Sequence, residues 1–261
     1  MHAAPPHPKP CHSRIVLTAL LLLPLTLHAQ QASLIQPVLP PIQPLVATEA
    51  KLPPQLIVIG FAGGFIKRTS SVHGEVGLAL HLKEKYSATI HSEIFENHHG
   101  NEAHREILRL LAFSNTTGPG TKKQPARIIL YGHSWGASEA VSVARQLQRD
   151  NIPVLLLVQV DGVQKREEDD SIIPANVAQA INFYQTEGLL HGRPTISAAN
   201  PATTKILDNI QLTYKHNDVP TPGYPWIART FTRRHIEIEN DPRVWTRVEA
   251  MILANLRPPT P

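Results

Sequence analysis

The sequence predicts one α/β domain built on a mostly parallel β-sheet with helices on both faces. Three observations lead there. Short apolar runs alternate with stretches of helical spacing from residue 55 onward, an order that calls for βαβ units with right-handed crossovers. The run Val154 to Val160 is apolar almost throughout, as a strand buried on both faces must be. The 261 residues are enough for one domain with a sizeable core, and nothing in the composition argues for two. With 42% hydrophobic and 18% charged residues, the chain is neither disordered nor a multi-span membrane protein in bulk.

The N-terminal segment is of a different kind. Lys9 and Arg14 precede an apolar run from Ile15 to Leu27, followed by Leu27-His28-Ala29. The run is shorter than the roughly 20 residues a membrane span needs, so residues 1–29 are expected to be a secretory signal peptide and the protein to be exported, periplasmic or extracellular. The single cysteine, Cys11, lies inside that segment. Its removal would leave no thiol, which excludes a cysteine nucleophile, a disulfide and a thiolate metal site. Residues 30–54 carry Pro37, Pro40, Pro41, Pro44, Pro53 and Pro54. Prolines fix φ and remove donors, so a proline-rich linker is expected here, with the folded domain spanning 55–261.

Within the domain, Leu56 to Ile59 reads as a short buried strand running into a glycine-rich loop, Gly60 to Gly64. Val76 to Tyr86 has helical spacing, Ala88 to Phe95 alternates like a strand, and Glu102 to Phe113 is helical again. Strand Ile128 to Tyr131, helix Ala137 to Leu147 and strand Val154 to Val160 follow. A helix is then expected around Ala175 to Ala180, a strand at Ile181 to Tyr184 and a hairpin from Lys205 to Lys215. Asp241-Pro242 supplies an N-cap and a first-turn proline for a closing helix through Leu256.

The chemistry concentrates at Gly132-His133-Ser134-Trp135-Gly136. A buried strand that turns sharply into a helix presses its neighbours' backbones together, so the residues two before and two after the turn must be tiny. The same turn lifts the Ser134 hydroxyl above the sheet edge, beside amide donors at a helix N-terminus. On these residues, together with the Gly60 to Gly64 loop and the order of elements from Gln55 onward, the chain resembles the α/β-hydrolase superfamily. The resemblance implies an α/β-hydrolase fold and a nucleophile, acid and base in that chain order. It also implies hydrolysis of an ester, thioester or related acyl bond.

A serine hydroxyl needs a base in reach and an acid to orient it. His235, just before the closing helix, stands where the superfamily's histidine sits; His216 and His191 are the other downstream histidines. Asp161 ends the strand after the nucleophile helix, where catalytic groups of parallel sheets collect. Glu187, one strand later, is the alternative, with Asp208 and Asp218 behind it. The oxyanion hole would draw on the amide of Trp135 and on Phe61 or Ala62 from the glycine loop.

That loop lacks the lysine and Ser/Thr of a P-loop, and a dinucleotide fingerprint is missing. His91, His98, His99 and His104 crowd one region with Glu93, Glu96 and Glu102, but without metal-ligand spacing, so no metal and no cofactor is expected. The net charge of +4 without a basic stripe gives no support for a nucleic-acid partner. Arg229, Arg233 and Arg234 beside the base could attract an anionic group. The 74-residue separation of Asp161 and His235 leaves little room for a large helical lid, so little or no lid domain is expected; the expected partner is a small-molecule or lipid ester, with peripheral membrane association left open. The function expected is that of an exported serine hydrolase acting through Ser134, His235 and Asp161. An acyltransferase or amidase using the same triad, or a non-catalytic binding protein on the same scaffold, are the alternatives.

Overall fold

A computed structural model describes residues 54–116, 126–165, 169–216 and 218–256. The expected signal peptide and all but the last residue of the linker lie outside the described residues, which all fall within the unit Ala50–Pro261.

A six-stranded sheet forms the centre. Its strands are β1 (Leu56–Ala62), β2 (Ile90–Glu96), β3 (Arg127–His133), β4 (Val154–Val160), β6 (Val177–Tyr184) and β8 (Lys205–Gln211). All neighbours pair in parallel, in the order β2-β1-β3-β4-β6-β8. A second, two-stranded sheet joins β5 (Ile172–Ile173) to β7 (Ser197–Ala198). The helices are α1 (Gly74–Lys85), α2 (Gly100–Thr116), α3 (Trp135–Arg149), α4 (Trp226–Phe231), α5 (Arg233–Glu239) and α6 (Pro242–Leu253).

Burial on both faces explains the nearly continuous apolar strands. Along β1, Ile57, Ile59 and Phe61 point into a core shared with Ala103 and Ile107 of α2 and with Ala140 and Ala144 of α3. Leu56 and Val58 point the opposite way, to Leu78 and Leu82 of α1 and Trp245 and Val248 of α6. Strand residues alternate faces with a period of two, so neither face can carry polar side chains without a partner. The chain runs from β1 out to β2 and returns on the other side of β1 to β3, which makes the β1/β3 boundary a topological switch point. Ligands of parallel sheets bind outside the carboxyl ends of the strands at such a point. This architecture is the α/β-hydrolase fold.

Several elements differ from the sequence reading. β1 runs on through Gly60, Phe61 and Ala62, so these three belong to a strand and not to a loop. Gly60 fits because the ring of Tyr131 lies across it, 2.4 Å from where a Cβ would stand. Residues 177–180 open β6 rather than ending a helix; β4 beside them, buried but for the half-buried Leu155, needs a hydrogen-bonded partner along its length, and Val154 pairs with Val177. The 205–215 region holds one strand, β8 over Lys205–Gln211, on the outer edge of the sheet, and not a hairpin. His235 sits inside the short helix α5 instead of a loop. Asp241 caps α6 as its position before a proline demands, with Oδ1 accepting from the Arg243 amide at 2.9 Å.

Candidate active site

Three strand ends meet at the switch point: Ala62 to Gly63 after β1, Ser134 after β3 and Asp161 after β4. The corner at Ser134 is as cramped as two flanking glycines suggest. A Cβ on Gly132 would stand 2.3 Å from the carbonyl carbon of Gly136, and one on Gly136 would stand 2.1 Å from the carbonyl oxygen of Phe61. No side chain fits at either place. Ser134 itself adopts φ +55°, ψ −124°, a conformation whose strain is on the order of 1–3 kcal/mol for a residue with a Cβ. The surroundings hold it there: its N–H donates to the Val160 carbonyl at 3.0 Å, and its own carbonyl accepts from Ala137 and Val163.

The serine side chain does not cap α3, so its hydroxyl is left uncommitted at the helix start. Trp135 is the first residue of α3, and an amide at that position has no acceptor within the helix. Ser134 is only 7% exposed, so the corner lies deeper than the raised rim position expected from the motif.

Asp161 is fully buried, with φ +45°. Its carboxylate is saturated with donors. Oδ1 accepts from the amides of Gln185 (3.2 Å) and Gly192 (2.7 Å), while Oδ2 accepts from Gln185 Nε2 (2.9 Å) and meets His235 Nδ1 at 2.7 Å. A carboxylate held by this many donors orients the imidazole, with Nδ1 carrying the shared hydrogen. His235 is buried, and its ring lies against that of His133, centroids 4.5 Å apart. The two residues expected as acid and base, Asp161 and His235, are therefore in contact. Among the described residues no hydrogen bond joins the Ser134 hydroxyl to His235, although His133, the residue before Ser134, packs directly on the His235 ring.

The other candidates stand elsewhere. Glu187 accepts from Thr213 Oγ1 and from the Tyr214 amide, and faces Arg234. It makes no contact with His235. His191 bonds the Gly192 carbonyl through Nδ1, and His216 is exposed at the end of the loop after β8. Asp208 lies on the edge strand β8, and Asp218 pairs with Arg233 and Arg234. Those two arginines also pair with Glu237, so neither is a free anion receptor. The histidine-rich region splits into surface groups, His91 with Glu93 and Glu106, and His98 with Glu96.

Of the expected oxyanion donors, Phe61 pairs with Phe95 on one side and Gly132 on the other, inside the ladder. Ala62 is the first residue of β1 beyond its pairing with β3. Next to it, Gly63 stands closest to the elbow: a Cβ there would lie 3.1 Å from both the Ser134 Cβ and His133 Nδ1.

Sequence reasoning missed the residues that hold this constellation. Gln185 and Gly192 secure Asp161 from one strand later. A cluster of His73, Glu75, His133 and Glu239 lies behind the elbow. Two of these left a trace in the sequence: His133 is inside the glycine–serine motif, and Glu239 follows His235 by one helical turn.

No family model matches this chain, and no curated protein matches it. Among solved structures it is similar to human thioesterase 2, with 12% identity, a TM-score of 0.37 and coverage of 72% of this chain and 98% of that one. It is also similar to RedJ, described with a PEG molecule bound in its active site, with 10% identity, a TM-score of 0.36 and coverage of 77% and 95%. A third likeness, to a protein from Xanthomonas campestris pv. campestris assigned to the alpha/beta hydrolase superfamily, has 15% identity, a TM-score of 0.32 and coverage of 77% and 99%. At these values the likenesses add nothing to the strand order and site geometry described above, and it is those that give the chain the architecture of an α/β-hydrolase.

Proposed function

We propose that the protein is an exported serine hydrolase that cleaves a carboxylic ester or thioester through a Ser134–His235–Asp161 triad. The observation that carries the reading is the 2.7 Å contact between His235 and a fully buried, donor-saturated Asp161, beside a strained strand-to-helix corner that bears Ser134.

The chemistry follows from the groups in place. Ser134 Oγ attacks the acyl carbon as its proton passes to His235 Nε2, and the imidazolium that forms is stabilised by Asp161 through Nδ1–H. The carbonyl electrons move onto oxygen, where the Trp135 amide and the Ala62 amide, or that of Phe61, face the developing charge at the N-terminus of α3. Collapse expels the alcohol or thiol, which takes its proton from His235. Water then attacks the acyl-serine by the same route in reverse, returning the proton to Ser134. The contact still missing between Ser134 and His235 closes as substrate fills the corner, since catalytic hydrogen bonds are commonly long before a substrate arrives.

Purified protein lacking residues 1–29 is expected to hydrolyse activated short-chain esters and to be silenced by a fluorophosphonate. A folded protein that neither labels nor turns over esters and thioesters of graded chain length would instead be a binding protein on this scaffold. N-terminal sequencing of exported material tests the removal of the leader.

A further inference from the structure

Behind the elbow lies a polar cluster that the triad does not use. Glu75, in the first turn of α1, is fully buried, and Glu239, the last residue of α5, is 2% exposed. One oxygen of each carboxyl group and one ring nitrogen of His73 lie within 4.8 Å of one another. Glu239 Oε1 meets His73 Nδ1 at 2.5 Å, and the Tyr224 hydroxyl, held by Asn240, also faces His73. Glu75 Oε1 accepts from the Gly63 amide at 3.3 Å, while Oε2 has no partner. Among the described residues neither carboxylate is paired with a lysine or arginine.

Two buried carboxylates without a cation are untenable as a doubly charged pair, because the desolvation penalty is several kcal/mol for each ion. Either a proton or a metal ion must relieve them. The 2.5 Å between His73 Nδ1 and Glu239 Oε1 leaves no place for an ion bound by both of these atoms, since two ligand atoms at about 2.0–2.2 Å from a tetrahedral ion stand more than about 3 Å apart, and a proton is the simpler relief.

We propose that Glu75 is a positioning residue: as a neutral acid beside Glu239, it fixes the loop after β1 and the helix that carries His235 in one register around Ser134. The inference rests on the triad reading above. Its geometry is direct. Glu75 holds Gly63, which abuts Ser134, and Glu239 lies one helical turn from His235. Tyr131 fixes the Glu75 carbonyl and Trp245 the Glu239 carbonyl, so both acids are anchored by their main chains as well.

The titratable groups facing the pair are His73 before α1, Tyr131 and His133 of β3 and Tyr224 before α4. Burial, reinforced by Glu239, holds the Glu75 carboxyl well above the usual range, and burial pushes Glu239 up to about 8. Burial also lowers His73 and His133, which therefore supply no compensating charge at neutral pH. Loss of the proton above that range places two negative charges side by side behind the oxyanion site.

The test compares Glu75→Gln, which keeps a neutral acceptor, with Glu75→Ala, which does not. In the infrared spectrum of D2O-exchanged wild type at pH 7, a protonated-acid carbonyl band is expected, and it should weaken in Glu75→Gln. Hydrogen exchange at the Gly63 loop and α5 is expected to speed up in Glu75→Ala and to return towards wild type in Glu75→Gln. With an activated ester, Glu75→Ala should lower kcat by about 100-fold with little change in KM, the scale of a small misplacement of reacting groups. Glu75→Gln should recover most of this and lose the alkaline fall in kcat. Absence of the acid band, equal damage from both variants, or a stoichiometric divalent ion in the purified protein that Glu75→Gln removes would each overturn the proposal. If wild type hydrolyses no ester and takes no fluorophosphonate, the triad reading fails, while the infrared and exchange measurements still decide the acid pair.

Discussion

Single residues carry the chemistry, and their environments set what substitutions do. Ser134→Ala removes the proposed nucleophile and keeps the Cβ that the corner already accommodates, so ester turnover should fall by about 10³-fold or more with the melting temperature unchanged. Asp161→Asn is more revealing. Oδ2 takes hydrogens from both Gln185 and His235, whereas an amide nitrogen there would present its own hydrogens to them. The imidazole would be forced into the wrong tautomer, and kcat should drop by roughly 10³–10⁴-fold, the scale known for amidating a triad acid. A pH–rate profile with only a minor loss in Asp161→Asn would show that the acid lies elsewhere.

At the scale of elements, close approach of backbones is the controlling fact. Gly136→Ala would drive a methyl into the Phe61 carbonyl of β1. The start of α3 would have to lift off the sheet, at a cost of about 3 kcal/mol or more, readable as a fall in the urea midpoint. Gly77, inside α1, meets no atom within 4 Å of a Cβ; Gly77→Ala should therefore stabilise the protein by about 0.5–1 kcal/mol in the same assay. The strands β1, β3 and β4 were legible in the sequence because burial on both faces forces nearly unbroken apolar runs. The opening half of β6 was not, because Ala178 and Gln179 are half-exposed or exposed at the rim and Ala175 to Ala180 carries no strong β-former besides Val177. β8 misled for a related reason: an edge strand packs on one side only and shows no continuous apolar signal. The glycine loop was read too early because glycine is a poor strand former, yet Gly60 is there to admit the Tyr131 ring.

For the whole molecule, pH links the buried acids to stability. Glu239 titrates near 8 when folded, against 4.5 for an ordinary glutamate. Between those values the folded state binds more protons than the unfolded one, so this group's contribution is full below about 4.5 and is lost as pH rises towards 8. His133 acts in the opposite sense: burial keeps it neutral, and its contribution is lost as pH falls below 6.5. From pH 6.5 to 8, then, the carboxyl effect stands alone. Urea unfolding should show wild type losing on the order of 1–2 kcal/mol across that window relative to Glu239→Gln; parallel curves would remove the acid pair from the account. The strand-to-helix corner at Ser134 and the residues Asp161 and His235, which the fold brings into contact, were readable from local motif and chain order. The buried supports were not, because Glu75, Glu239 and His73 converge from segments more than 160 positions apart, and only the folded topology brings them behind the elbow.

The central claim is that Ser134 is the nucleophile of a working triad. Its most direct measurement is the mass of the peptide carrying Ser134 after wild-type protein reacts with a fluorophosphonate. One stoichiometric adduct on Ser134, absent when His235 is replaced by alanine, is the result this account predicts. An adduct on a different side chain, or none on a protein shown to be folded, contradicts it.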